Sequence, residues 1–248
     1  MCHVRIIAIQ KQLYKNKLFI KENGQMNNLT GKINPKTEEE FQPATVHDIA
    51  AMINEAKKSD QSIAIVMRHA PFNNETKGLT DEGVLIATKL GDLLENSGIT
   101  INKIFVSPEV RAKQTASKIS PTAPLQELEE IGSAKSGKNP YTDEELTELK
   151  SQAQTQNITI EKAVIRSSKL RSKNIERGTE TAEAILKNLE PGKTILFVSH
   201  GARIEPAICE LTQSQLDTTL ILPTLGMVIL IIDPNNKKVS AWTYYNCN

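Results

Sequence analysis

Two dipeptides and one spaced pair stand out for the chemistry they allow: Arg68-His69, Ser107 with Arg111 four residues on, and His200-Gly201. An arginine guanidinium matches phosphoryl oxygens in a bidentate way. A neutral imidazole nitrogen can attack phosphorus and form a phosphohistidine, which water then hydrolyses. Neighbouring cations depress the pKa of such a histidine and keep it nucleophilic. The other cations stabilise charge spread over the equatorial oxygens. A carboxylic acid must protonate the leaving oxygen. Two arginines and two histidines gathered at one place therefore have a phosphoryl group as their natural guest.

Such a gathering requires three strand ends at one sheet edge. Residues 63–67 (Ile-Ala-Ile-Val-Met) run straight into Arg68-His69, and a short continuous apolar run reads as a strand buried on both faces. Residues 104–106 and 194–198 are similar runs, ending at Ser107 and at Ser199-His200. In open α/β sheets, ligands bind at the carboxyl ends of such strands. Ser107-Pro108 signals a helix start with Ser as N-cap and Pro at the first position, which puts Arg111 in the first turn beside unsatisfied N–H groups. Thr45 and Thr80 read as further N-caps, and Gly98 as a helix stop. Residues 142–154 and 180–189 read as helices, and Met227–Ile232 with residues 239–244 as a strand, turn and edge strand. The alternation of strand and helix indicates an α/β fold with a largely parallel sheet.

The 248 residues suit one domain plus an appendage. Residues 1–43, rich in Lys, Asn, Gln and Glu, read as a polar, weakly structured extension in which residues 4–9 add a short strand or stay mobile. Residues 44–248 read as the domain that carries this chemistry, and residues 132–175 as an insertion or cap over the sheet edge, where substrate-selecting loops lie. Thirty basic residues balance 29 acidic ones, and aromatics make up 4%. That excludes nucleic-acid or membrane binding driven by bulk charge or stacking. Three widely spaced cysteines (Cys2, Cys209, Cys247) and four histidines give neither a disulfide framework nor a zinc site. No apolar run spans a bilayer and no signal-peptide pattern is present, so the expectation is a cytosolic protein without a cofactor.

The residues resemble the histidine phosphatase superfamily, which includes the cofactor-dependent phosphoglycerate mutases. The Arg-His-Gly motif of that family is matched by Arg68-His69-Ala70, and its Leu-Thr-x-x-Gly helix start by Leu79-Thr80-Asp81-Glu82-Gly83. Ser107 through Ala116 matches Ser-x-x-x-Arg-x-x-x-Thr-Ala, and Ser199-His200-Gly201 matches the late Ser-His-Gly. The four motifs occur in family order between Thr45 and Tyr244. The resemblance implies a three-layer α/β/α sandwich of the phosphoglycerate mutase type. It implies His69 as nucleophile, with Arg68, Arg111, His200 and Gly201 around the phosphoryl group and His200 also acting in catalysis. The acid it implies is Glu130, in Leu128-Glu129-Glu130-Ile131; Glu127, Glu75 and Asp81 stay open as alternatives. Ala70 stands where the family usually has glycine, a change compatible with negative φ.

The mutases of that family carry a longer loop here, so the short loop from His69 to Leu79 makes the resemblance imply a phosphatase rather than a mutase. The expected activity is metal-independent hydrolysis of a phosphoric monoester, on a phosphorylated small molecule or a phosphoprotein, phosphohistidine included. A phosphomutase, or a weakly catalytic phosphate-binding scaffold, is the alternative. Lys169, Arg171, Lys173 and Arg177 form a basic cluster that reads as a solvated face or as a steering surface for anions.

Overall fold

The computed structural model describes residues 3–5, 45–133, 140–213 and 222–246. Seven strands form one sheet: β1 (His3–Arg5), β2 (Ser62–Arg68), β3 (Lys103–Val106), β4 (Leu125–Glu127), β5 (Thr194–Ser199), β6 (Met227–Ile232) and β7 (Val239–Asn246). Their spatial order is β1-β7-β6-β2-β5-β3-β4. β2, β5 and β3 run parallel, as expected of buried apolar runs, and the exposed β4 adds to β3 in parallel. β6, β7 and β1 join antiparallel on the other side. β7 is therefore not the edge strand expected: β1 covers it, with His3 opposite Asn246. The rest of the expected N-terminal extension lies outside the described residues.

Seven helices accompany the sheet among the described residues: α1 (Val46–Lys58), α2 (Asp81–Asn96), α3 (Val110–Ile119), α4 (Asp143–Thr155), α5 (Ile160–Arg166), α6 (Arg171–Lys187) and α7 (Gly201–Thr212). Strand side chains alternate between two cores. Ile63, Ile65 and Met67 of β2 face α1, α2 and α3, together with Leu90, Leu94 and Ile119. Ala64 and Val66 face the other way, toward Ile185 of α6 and Ile204 and Ile208 of α7. The result is the expected α/β/α sandwich. α4 and α5 build a small third cluster around Leu149 and Val164. None of the described helices is long and apolar enough to cross a membrane.

The caps at Thr45 and Thr80 form as read: each hydroxyl accepts a backbone N–H three residues on. α4 begins after Thr142, also as read, and reaches Thr155. Two expectations fail. α3 starts at Val110 with Glu109 in the N-cap position, not Ser107; the Ser107 hydroxyl is turned toward His200 instead, at 2.7 Å. α6 starts at Arg171, well before the expected residue 180. Its buried face there carries Asn174, Gly178 and Thr181, so no apolar period marks it.

Two glycines are explained by close approach. A Cβ on Gly83 would lie 2.1 Å from the Pro71 carbonyl oxygen, so α2 can seat the loop leaving β2 only with glycine there. A Cβ on Gly178 would lie 2.6 Å from Pro206 Cβ, so α6 can press onto α7 only at a glycine.

Candidate active site

The carboxyl ends of β2, β5 and β3 lie side by side, with Arg68 opposite Ser199 and Val106 opposite Val198. His69 extends the β2–β5 ladder, its N–H donating to the Ser199 carbonyl at 3.0 Å. His200 follows β5 directly and occupies the N-cap of α7. Arg111 reaches in from the first turn of α3. The three sequence-distant strand ends therefore bring Arg68, His69, Arg111, His200 and Gly201 together.

His69 is 3% exposed. Its Nδ1 lies 2.8 Å from the Ala70 carbonyl oxygen. A carbonyl only accepts, so Nδ1 carries the proton and Nε2 presents a lone pair. Arg111 Nε donates to that Nε2 at 3.2 Å. Burial, then the neighbouring His200, and then Arg111 and Arg68 depress His69 against the pull of the Ala70 hydrogen bond, to about 3. The ring is neutral throughout the ordinary pH range. Phe72 packs its ring edge-on to the imidazole, centroids 5.1 Å apart, and lies under the Arg111 guanidinium at 4.7 Å.

The motif residues around these groups have structural work. Thr115 Oγ1 accepts from the Ala70 N–H at 2.9 Å and donates to the Arg111 carbonyl at 2.7 Å. It thereby fixes the His69 turn to α3, which accounts for the Arg-x-x-x-Thr spacing. Ala70 is fully buried and is not among the residues with positive φ, so alanine fits where the family has glycine. A Cβ on Gly201 would lie 3.3 Å from Arg68 Nη1 and 3.4 Å from Glu205 Oε1. Guanidinium and carboxylate thus share the space over the α7 N-terminus. Arg68 Nη1 also donates to the Leu222 carbonyl, 3.0 Å, and Glu205 Oε1 accepts from the Leu222 N–H, 3.1 Å.

His200 is 6% exposed. Its Nδ1 faces Arg111 Nη2 at 3.1 Å, and arginine only donates, so Nδ1 is the acceptor and Nε2 bears the proton. That Nε2 lies 2.7 Å from Ser107 Oγ and 3.0 Å from Glu109 Oε2. Burial pushes His200 below its ordinary pKa, while the Glu109 hydrogen bond and charge pull the other way. Glu109 is the residue that sequence reasoning missed. Its carboxylate accepts from Ser107 Oγ, from Ser133 Oγ and from the Ser133 N–H at 2.8 Å. Burial pushes its carboxyl up, but His200 and the two hydroxyls outweigh this and hold it well below the usual carboxylate range.

Glu130 lies on a single 3-10 turn, Glu129–Ile131, that leads into Gly132 and Ser133. It is half-buried, and its carbonyl accepts from Thr181 Oγ1 at 2.8 Å. Glu127 is exposed and pairs with Lys113 at 3.0 Å. Glu75 lies exposed in the loop after His69, and Asp81 is exposed at the start of α2. Two members of the basic cluster tie the insertion together: Lys169 and Lys173 pair with Glu148 and Glu145 of α4 at 2.8 and 2.7 Å. Arg177 instead turns to the site, donating to Tyr141 Oη at 2.7 Å and to the Ser133 carbonyl at 2.8 Å. Among the described residues, no group of three or more His, Cys, Asp or Glu is placed to hold a metal ion.

No curated protein sequence gives a significant match to the chain. Solved structures share its fold. The Bacillus stearothermophilus YhfR structure superposes with a TM-score of 0.50 at 19% identity, covering 72% of this chain and 94% of its own. A mycobacterial glucosyl-3-phosphoglycerate phosphatase, solved with VO3, superposes with a TM-score of 0.51 at 13% identity, covering 68% of this chain and 92% of its own. The family model of the histidine phosphatase superfamily, branch 1, matches residues 64–244, from within β2 to within β7. With all four motifs inside that span and the residues of three of them gathered at one sheet edge, the chain belongs to branch 1 of the histidine phosphatase superfamily.

Proposed function

We propose that the chain hydrolyses phosphoric monoesters through a covalent phosphohistidine on His69. One observation carries this reading: a neutral imidazole, pinned through Nδ1 to the Ala70 carbonyl, directs its Nε2 lone pair at the Arg111 guanidinium. A phosphoryl group bound by Arg111, Arg68 and the α7 N-terminus would meet that lone pair. Nε2 attacks phosphorus, the ester P–O bond breaks, and the leaving oxygen takes a proton from a carboxylic acid. Water then attacks the phosphohistidine, gives its proton to the same carboxylate, and releases phosphate with His69 regenerated. Glu130 is our proposed acid, because its turn leads directly into the Gly132-Ser133 segment that touches Arg111.

Superfamily membership supports this reading, as does the mycobacterial structure that shares the fold, itself named a phosphatase. The short loop between His69 and Leu79 favours hydrolysis over phosphoryl transfer between positions of one substrate. The proposed substrates are phosphorylated small molecules or phosphoproteins, selected by residues 132–175. We place the activity in the cytosol, on the sparse and widely separated cysteines.

The direct test is hydrolysis of an aryl phosphate in EDTA. Side chains supply every group in the scheme, so full turnover with release of inorganic phosphate is expected. Loss of activity in EDTA would remove the metal-independent scheme, and absent turnover with tight phosphate binding would favour a scaffold. On a phosphoglycerate, phosphate release rather than a shifted phosphoryl group separates phosphatase from mutase. Substituting Glu130→Gln should slow an alkyl phosphate by about a hundredfold or more, and an aryl phosphate with a good leaving group far less. Equal slowing of both would exclude Glu130 as the acid.

A further inference from the structure

Glu109 places a carboxylate inside a pocket built for anions, where its charge would oppose binding unless it serves another group. Its position shows which group that is. The carboxylate sits against Nε2 of His200, on the side of the ring opposite Nδ1. Nδ1 is the nitrogen turned toward Arg111, at 3.1 Å, and thus toward any phosphoryl group held by that arginine. As the structure stands, Nδ1 has a lone pair. Phosphoryl oxygens also present only lone pairs. A phosphoryl group that replaces the Arg111 contact would therefore meet Nδ1 as a repulsive neighbour, unless that nitrogen gains a proton.

The groups facing the His200 ring decide whether it can. Arg111 from α3 and Arg68 from the end of β2 both oppose a positive ring. His69, with ring centroids 5.1 Å away, is neutral and gives no help. Glu205 of α7 lies across Gly201 but shares its space with Arg68. Glu109 is the anion in direct contact. It is also firmly held: Ser133 donates to it through both N–H and hydroxyl. Two arginines fix the Ser133 turn in its place, Arg203 Nε on the Gly132 carbonyl at 2.8 Å and Arg177 Nη2 on the Ser133 carbonyl at 2.8 Å. Arg203 is 2% exposed, so this support is buried.

We infer that Glu109 is a positioning residue, the counter-ion that lets His200 take a second proton and grip the phosphoryl group as an imidazolium. Nε2–H stays on Glu109, the new Nδ1–H donates to a phosphoryl oxygen, and the proton comes from solvent. Phosphoryl binding is thereby coupled to uptake of one proton. This deepens the phosphatase reading and rests on it. The sign follows from linkage: the bound anion raises the affinity of His200 for its second proton. Binding is strong at low pH, and it weakens as pH rises through the bound-state pKa of His200. Removing the Glu109 charge moves that weakening to lower pH.

The probe is sulfate, a tetrahedral dianion that does not itself titrate between about pH 5 and 9, where His200 is at issue. Calorimetry of the full chain in two buffers of different ionisation enthalpy should show uptake approaching one proton per sulfate at neutral pH. In Glu109→Gln the uptake should disappear, with sulfate affinity at neutral pH down about tenfold and recovering as pH falls. A purely structural role would weaken binding equally at every pH and leave the uptake intact. Histidine 15N spectra of the wild-type chain give a measurement independent of the variant's folding: sulfate should convert Nδ1 of His200 from bare to protonated. Sulfate binding without proton uptake, or with Nδ1 still bare, overturns the role of Glu109 alone. Failure of the wild-type chain to bind sulfate at all overturns the phosphate pocket, and the inference with it.

Discussion

Replacing His69 with alanine should lower turnover of an aryl phosphate by at least about ten-thousandfold, the scale expected when a covalent nucleophile is removed. Brief incubation with labelled substrate and an acid-avoiding quench should trap a phosphoenzyme in the wild-type chain and none in His69→Ala. Persistent labelling of the variant would sink the mechanism. The size of the effect follows from the site. Nε2 of His69 is the nitrogen whose tautomer is set by a carbonyl and whose lone pair faces Arg111. His200 does not replace it, because in the scheme above its Nδ1 lone pair is taken up by the proton that binds the phosphoryl group. The folded structure lowers the His69 pKa to about 3, so the attacking form is present above that pH and is lost only below it. No acid limb of the pH–rate profile near neutrality should therefore belong to His69. A limb found there reports another group, and His69→Ala cannot reveal it.

The same strand ends explain how far the sequence could be read. Arg68-His69, Arg111 and His200-Gly201 were visible because each ends a buried apolar run or opens the helix after one. Hydropathy marks such strands strongly, and the chemistry needs these residue types there. Glu109 was hidden for a physical reason. An acidic residue at a helix start is ordinary, favoured by the helix dipole, and carries no mark of a partner ninety-one positions away. The clue was its place between Ser107 and Arg111, in a position the motif leaves free.

α6 was half missed because its N-terminal part buries Asn174, Gly178 and Thr181 rather than aliphatic residues. Each buried polar group has a long-range partner: Asn174 Nδ2 donates to the Val164 carbonyl, and Thr181 Oγ1 to that of Glu130. Such pairing satisfies buried polar groups but leaves no period in the sequence. Arg203 is the extreme case, a buried arginine beside Ile204 on α7. It spends three nitrogens on Gly132, Arg177 and Glu180. The loop it supports carries Ser133, so the residues hardest to read are those that hold the site from behind.

Arg111→Ala should be the second most damaging change, lowering kcat for an aryl phosphate by about a hundredfold to a thousandfold. One guanidinium touches both histidines, through Nε to His69 at 3.2 Å and through Nη2 to His200 at 3.1 Å. A phosphoryl group entering between them would be met by a fork already aimed at its oxygens. The loss in the variant cannot come from protonation of the nucleophile. Arg111 is one of several contributions depressing His69, and burial, the largest of them, survives its removal. Raising the pH should therefore not restore the variant, whereas it would if the arginine served only to keep His69 neutral. Arg111→Lys separates charge from shape. Lysine restores a cation but not two parallel N–H donors, and it cannot hold a planar cation over the Phe72 ring as arginine does. It should recover a small part of the loss. Full recovery by lysine would mean that charge alone suffices, and near-normal turnover in Arg111→Ala would place the phosphoryl group elsewhere.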